Sequence, residues 1–501
     1  MDFNNIKDKI KKPHNIILIL ILILALVIRL NYFNDNQAVW WDEAEYLLQA
    51  KHWAFQTPNT GFGEVRPILL SFILSLFYRI GGSELSARIV ILLFSIFGVY
   101  LAYLVGKELF NKEVGLISSF LLSIFYLDIF YTIRVLVDVP GATMSLLMIY
   151  LFWKGYYQDK KYLYWFGFAF GLAFMLKFTT GLFLIVIFLY LLITEHLSFF
   201  KIKELYIAGI IAFITAMPYF IWSYLTYGDP IRGVIRSSGD GLKYSAQKGF
   251  EEAFGRFASY ILQTNSHLKI VLFILLLIGL ISFYKLIIGF DLVVRRKEKS
   301  LNPYLFLLIW ILIPLVYFSF FFHVYDPRYL ISIFPALFII IGLGIMIVYN
   351  FLTQYEKRLA IALIILILLI AGYQQNIFTK QVIDSRSNSF VQFKYAGEWL
   401  KDRTEKDEII FNTGVPQNVY YTERDTFGHG SEENFENRRE NEKINYYVLS
   451  RLELAPDWAY TYPSRHPDIM KPVFACDNSL CTDDLSKIDN SSITLIVYQF
   501  V

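Results

Sequence analysis

Charge is scarce in this sequence: 18% of its 501 residues are Asp, Glu, Lys or Arg, against about 25% in soluble domains. With 56% hydrophobic residues and a mean hydropathy of +0.45, a soluble enzyme and a disordered chain are both excluded. A net charge of +3 does not make the basic surface that nucleic acid demands, so no nucleic-acid partner is expected. Two cysteines exclude a disulfide-dense scaffold and most thiolate metal sites. There is no glycine- or proline-rich repeat, no Walker loop, no G-x-G-x-x-G and no G-x-S-x-G elbow. The histidines are scattered, without H-E-x-x-H spacing. What remains is a mainly α-helical, polytopic membrane protein.

A span needs about 20 apolar residues. Ile16 to Phe33 is the first run, preceded by Lys7, Lys9, Lys11 and Lys12 and followed by no cleavage site. It reads as a retained helix with a cytoplasmic N-terminus. Further runs lie near 85–107, 113–132, 138–155, 162–176, 179–195, 204–225, 268–290, 304–322, 330–350 and 359–377, which makes about eleven spans. Pro67 to Ile80 is apolar but shorter. Leaving it outside, as an interfacial or re-entrant helix, puts every basic cluster on the inner side, from Lys107 and Lys112 to Lys357 and Arg358. The expected location is the cell membrane, with the C-terminal part outside.

The composition changes at about residue 379. Residues 379–501 hold 14 basic and 20 acidic residues, so the tail is at about −6 and the rest of the chain at about +9. A membrane domain over 1–378, with outer loops 34–84 and 226–267, and a small extracytoplasmic α/β domain over 379–501 are expected. In the tail, Phe393 to Thr404 has a helical apolar stripe. Glu408 to Asn412, Tyr446 to Ser450 and Ile493 to Phe500 have strand composition, and Asp425 to Lys443 is polar, a loop or an exposed helix. Cys476 and Cys481 suit a disulfide in an oxidising compartment; two free thiols are the alternative.

Inner-loop lysines orient the chain and need no further function. Outer-side charges within the membrane half run against that trend, and such groups pair or bind something. The first outer loop holds Trp40-Trp41-Asp42-Glu43-Ala44-Glu45. A carboxylate beside aromatic rings tends toward a raised pKa, which suits a general base, and oxygen ligation of a divalent cation is the other option. An ordinary interfacial loop has the same composition. Arg66 follows, then Arg134 and Asp138, four apart and able to pair on one helical face. Lys177 suits a lipid phosphate or simple snorkelling. Arg232, Arg236, Lys243 and Lys248 lie among Gly and Ser that could cradle an anion. In His323-Val324-Tyr325-Asp326-Pro327-Arg328-Tyr329, Arg328 stands at the electropositive mouth of the next helix, which calls for an anionic partner, Asp326 or a ligand.

This ordered set resembles the GT-C superfamily of membrane glycosyltransferases, and within it the protein O-mannosyltransferase and aminoarabinose transferase group (glycosyltransferase family 39-like). The carrying residues are Asp42-Glu43, Arg66-Pro67-Ile68-Leu69-Leu70, Ser83-Glu84-Leu85-Ser86-Ala87-Arg88, Arg134, Asp138-Val139-Pro140, Lys177, Arg328-Tyr329-Leu330 and Pro335. The resemblance covers about 1–350, and the tail is like that of many prokaryotic members. It implies an inverting hexosyl- or pentosyltransferase. Such an enzyme moves a sugar from a polyprenyl- or dolichyl-phosphate donor to a hydroxyl of a protein, lipid or glycan at the outer face. The resemblance makes Asp42 the base, Glu43 its assistant, and Arg66, Lys177, Arg328 and Tyr329 the donor-phosphate ligands. Arg134, Asp138, His323 and Asp326 would shape the cavity. The Asp-x-Asp pattern of oligosaccharyltransferases is missing, so a divalent metal is possible but not implied; no other cofactor is. Two rivals compete with this reading. A transporter or flippase of lipid-linked sugars tends to show inverted repeats with midplane charge, and neither is found. A scaffold displaying the acidic tail does not need the outer charges.

Overall fold

A computed structural model of the chain describes residues 12–501 other than 323, 324, 429 and 479, and describes the backbone alone at 238–248 and 490. Lys7, Lys9, Lys11 and His323 therefore lie outside the described residues, as do the side chains of Lys243 and Lys248.

The membrane half is helical throughout. Its elements are α1 (Pro13–Asn31), α2 (Trp41–Phe55), α3 (Leu69–Arg79), α4 (Glu84–Leu109), α5 (Lys112–Ile124), α6 (Tyr126–Thr132), α7 (Asp138–Tyr157) and α8 (Lys161–Leu176). They continue with α9 (Leu182–Glu195), α10 (Lys203–Tyr227), α11 (Arg232–Ile281), α12 (Tyr284–Val294), α13 (Asn302–Phe320), α14 (Phe334–Leu352) and α15 (Lys357–Asp384). All eleven apolar runs of the sequence are helical. Among the described residues eight helices are long and apolar enough to cross a membrane, or nine with the bent pair α5–α6 counted as one span. The other two runs are α7 and α8, which pack against each other and, respectively, against α4 and α10. A Cβ on Gly167 or Gly171 of α8 would strike the backbone or a side chain of α10; glycine there lets the two helices close.

Two boundaries differ from expectation. The stretch 226–267, expected as an outer loop, is helical from Arg232 onward, with breaks at Gly249 and Lys269 inside α11. The last membrane helix continues past residue 378 to Asp384.

The tail contains α16 (Val391–Lys401), β1 (Ile409–Asn412), α17 (Val415–Thr422), β2 (Asp425–Phe427), α18 (Glu432–Asn441), β3 (Tyr446–Ser450), α19 (Asp457–Arg465), β4 (Met470–Cys476), β5 (Cys481–Thr482) and β6 (Leu495–Phe500). The sheet runs β2-β1-β3-β6-β4-β5, parallel among β2, β1 and β3 and antiparallel beyond. Strand alternation sends Ile410 and Tyr446 to one face with Phe393 and Leu400 of α16, and Phe411 and Tyr447 to the other with Phe435 and Tyr462. The polar stretch 425–443 thus resolves into a strand and an exposed helix. The short strands β2 and β5 and the Pro-containing β4 went unread in the sequence. Cys476 and Cys481 are disulfide-bonded.

One buried ion pair organises the bundle. Arg29 of α1 is fully buried and meets Asp128 of α6 at 2.5 Å. It also donates to Ser95 Oγ at 2.6 Å, Ser123 O at 2.9 Å and Leu122 O at 3.4 Å. Those carbonyls lie where α5 and α6 bend by 54°, so the guanidinium takes the place of the helical N–H groups that the bend removes. Asp128→Leu is expected to leave Arg29 uncompensated and to destabilise the protein by about 3–5 kcal/mol, read as a lower Tm in detergent. Arg29→Leu with Asp128→Leu should recover part of that loss. An unchanged Tm in the single variant would contradict this role.

Candidate active site

Five segments converge on one cavity of about 640 Å³ lined by Asp42, Arg66, Asp138, Lys177, Arg236, Arg328 and Tyr329. Asp42 opens α2, where a carboxylate suits the helix dipole. Arg66 and Pro67 precede α3. Asp138 opens α7, Lys177 stands in the tight link after α8, and Arg328 lies in a one-turn 3-10 helix before α14.

The centre is Asp42. Its Oδ1 accepts from Arg66 Nη2 at 2.5 Å and its Oδ2 from Arg328 Nη1 at 2.8 Å. Arg66 also donates through Nε to Glu45, whose other oxygen accepts from the Trp41 indole at 2.9 Å. Arg328 is braced by Asp326, which accepts from its backbone N–H at 2.9 Å and faces its Nε at 3.5 Å. Lys177 donates to Asp138 at 2.7 Å. A Cβ added to Gly141, on the next turn of α7, would lie 2.8 Å from Lys177 Cδ, so glycine leaves room for the lysine stem. Tyr329 stacks on Phe318, with ring centroids 5.4 Å apart, and its hydroxyl accepts from Arg328 at 3.3 Å.

Several expectations change here. Asp42 and Glu43 do not act as a pair, because successive helical side chains diverge by about 100°. Glu43 faces away from the cavity and is completely buried. It accepts from Trp40 N at 2.9 Å and Val135 N at 2.7 Å and faces Arg134 at 3.5 Å. Arg134 and Asp138 do not pair either, since Arg134 precedes α7 in a turn. Arg134 is buried, lies over the Trp40 ring at 3.5 Å from its centroid, and donates to Asn36 at 3.0 Å. It lies behind the cavity wall rather than on it. Asp326 likewise braces Arg328 without lining the cavity. Arg232 is held by Glu64 at 2.9 Å, while Arg236, from the same helix, does line the cavity. Glu45 was not singled out as a site residue in the sequence. Its signal was the three-residue spacing from Asp42, which puts both on one face of α2 with Arg66 between them.

The expected raised pKa of Asp42 is also corrected. Burial pushes its carboxyl up, but Arg66 and Arg328 outweigh burial and hold it below the ordinary value of 3.8. Glu45 lies deeper, and there burial wins and pushes the carboxyl up. Asp42 is thus ionised and closely partnered, and Arg66 leaves little of either carboxylate free. Among the described residues no three His, Cys, Asp or Glu side chains come together as a metal-binding group.

Residues 65–222 match the family model described as dolichyl-phosphate-mannose-protein mannosyltransferase. That stretch contains Arg66, Arg134, Asp138 and Lys177, but neither Asp42 nor Arg328. An uncharacterised protein of Aquifex aeolicus is 27% identical over 345 residues, and the match spans 64% of this chain and 62% of that protein. The structure is similar to ArnT of Cupriavidus metallidurans bound to undecaprenyl phosphate, with a TM-score of 0.65, 13% identity, and 96% of this chain and 97% of that one covered. The fold is GT-C. The GT-C likeness extends to the archaeal oligosaccharyltransferase AglB of Archaeoglobus fulgidus in complex with an inhibitory peptide and a dolichol-phosphate. There the TM-score is 0.61 at 13% identity, over 96% of this chain and 75% of that one.

Because the folded pKa of Asp42 is depressed, the stability from its ion pairs is present above the ordinary aspartate value and is lost as pH falls through the lower folded value. The Tm difference between wild type and Asp42→Asn should therefore hold from neutral pH to about pH 4 and close below it. Closure already at about pH 5–6 would mean that the arginines do not hold the carboxylate.

Proposed function

We propose that the chain is an inverting glycosyltransferase taking its sugar from a polyprenyl- or dolichyl-phosphate and giving it to an acceptor hydroxyl at the outer face of the cell membrane. The observation that carries this reading is one carboxylate, Asp42, held between Arg66 and Arg328, with the Lys177–Asp138 pair in the same cavity. Acyl, redox and nucleotide chemistry call for other groups. Transfer from a lipid phosphate calls for a base beside a set of cations. The family match and the two lipid-phosphate complexes among the GT-C relatives support it. So does an apolar groove of about 630 Å³ between α8, α9 and α10, which meets the cavity at Gly181 and suits an isoprenoid chain.

The chemistry follows from the positions. The acceptor oxygen attacks the anomeric carbon as the carbon–oxygen bond to phosphate breaks on the opposite side, so the configuration inverts. The acceptor proton passes to Asp42. The phosphate leaves with one more negative charge, which Arg66, Lys177 and Arg328 stabilise in a cavity partly shielded from water. Free, Asp42 is a weak base, because the same guanidinium groups stabilise its charge. As phosphate draws Arg66 and Arg328 toward itself, Asp42 loses partners and becomes more basic when its proton is due. Asp138 keeps Lys177 compensated until phosphate arrives. Glu45 and Asp326 anchor the two arginines. The N-terminus is cytoplasmic and the tail extracytoplasmic in this reading, which sets the cavity among the outer loops. Whether the sugar is a hexose or a pentose is left to the donor panel below.

Membranes carrying Asp42→Asn, supplied with labelled polyprenyl-phosphate sugars, should lose transfer by about 10²–10⁴-fold with expression retained. Lys177→Met and Arg328→Gln should each lose about 10²–10³-fold. Full activity in Asp42→Asn would remove the base assignment. Labelled lipid crossing the bilayer with no donor giving transfer would make the protein a transporter instead.

A further inference from the structure

The tail sits on the helix that carries Asp42. Four residues of α17, Val415, Val419, Tyr420 and Tyr421, belong to the same apolar core as the membrane bundle, whereas the rest of the tail has cores of its own. The Val39 N–H, three residues before Asp42 and fully buried, donates to the Tyr421 hydroxyl at 2.9 Å. Left unpaired at such depth, that N–H would be costly. At the other end of α2, Lys51 donates to Tyr420 O at 3.0 Å and pairs with Glu423 at 2.9 Å, while Lys401 of α16 meets the same carboxylate at 2.9 Å. Beyond the end of α2, Thr60 donates to Asp425. Backbone contacts also cross: Gln37 N donates to Ser387 O at 3.1 Å. Thus α2 lies between the bundle and the tail, with α17 pressed along it.

We infer that the extracytoplasmic domain is a positioning element of the active site, with Tyr421 and the Lys51–Glu423 pair as the residues through which it fixes the angle and depth of α2 and so of Asp42. This rests on the glycosyl-transfer reading for its consequence but not for its geometry. None of these residues lines the cavity. They act through α2, on which Asp42 and Glu45 jointly hold Arg66, so a small rotation of α2 moves base and phosphate ligand together. A misplacement of about 1 Å costs up to about 10²-fold in rate, which is how a contact outside the cavity reaches the chemistry.

The test uses the full chain with two variants, Tyr421→Phe, which removes only the acceptor hydroxyl, and Lys51→Met. Two readouts are followed: steady-state transfer, and amide hydrogen exchange over 38–50. Faster exchange at 38–44 is expected, with kcat down about 10- to 100-fold and KM for donor and acceptor within about twofold. Bridging Thr60→Cys to Asp425→Cys should restore kcat in the Lys51→Met background; the native cysteines are already paired. Unchanged exchange would overturn the inference, as would faster exchange with unchanged kcat. A raised acceptor KM with kcat intact would also overturn it, and would make the tail an acceptor-binding module. If the wild type transfers from no lipid-phosphate sugar, the functional reading fails. The exchange contrast then decides by itself whether the tail holds α2.

Discussion

A carboxylate shared by two arginines in a partly buried cavity is held best when each arginine has a second anchor, and this site is organised around that requirement. Asp42 takes one guanidinium from Arg66 and one from Arg328, residues 262 positions apart in sequence. Glu45 is the second anchor of Arg66 and Asp326 that of Arg328. With a partner to fall back on, each arginine can be shared with a phosphate without leaving a bare charge. A lone ion pair would either hold its partner too tightly or leave one group unpaired when it parted.

The rest of the fold keeps these groups in register. Glu43, pointing the opposite way from Asp42, ties α2 to the turn before α7 through Val135 and Arg134. Trp40 covers Arg134 and so excludes water from that tie. Deeper in the bundle, Arg29 and Asp128 hold the bend between α5 and α6, from which the 134–138 turn follows. The C-terminal domain packs on α2 through α17. The adjacent residues Asp42 and Glu43 therefore part ways, one lining the cavity and the other tying α2 to its neighbour, on account of helical geometry.

The membrane class and the helical runs were legible because they depend on composition over long windows. The gathering of Asp42, Arg66, Asp138, Lys177 and Arg328 around one cavity was legible from their order and from their place at the ends of apolar runs. Pairings were not. Arg134 and Asp138 are four apart, but a turn lies between them, so a helical-face argument failed. The direction of the Asp42 shift was misread because neighbouring aromatics were visible in sequence while two distant guanidinium groups were not. The helical character of 232–248 was hidden by Gly and Ser, and β4 by its proline. Least legible was the role of the tail, because the contacts of α17 with α2 join residues about 370 apart and leave no local pattern.

A structure determined with a polyprenyl phosphate bound tests most directly whether the cations compensating Asp42 are those that receive the phosphate. The predicted result is a phosphate within hydrogen-bonding distance of Lys177 and Arg328, with the Arg328–Asp42 contact, 2.8 Å in the free protein, lengthened or lost. A phosphate bound elsewhere, or one bound in the cavity with both Asp42 ion pairs intact, would contradict it.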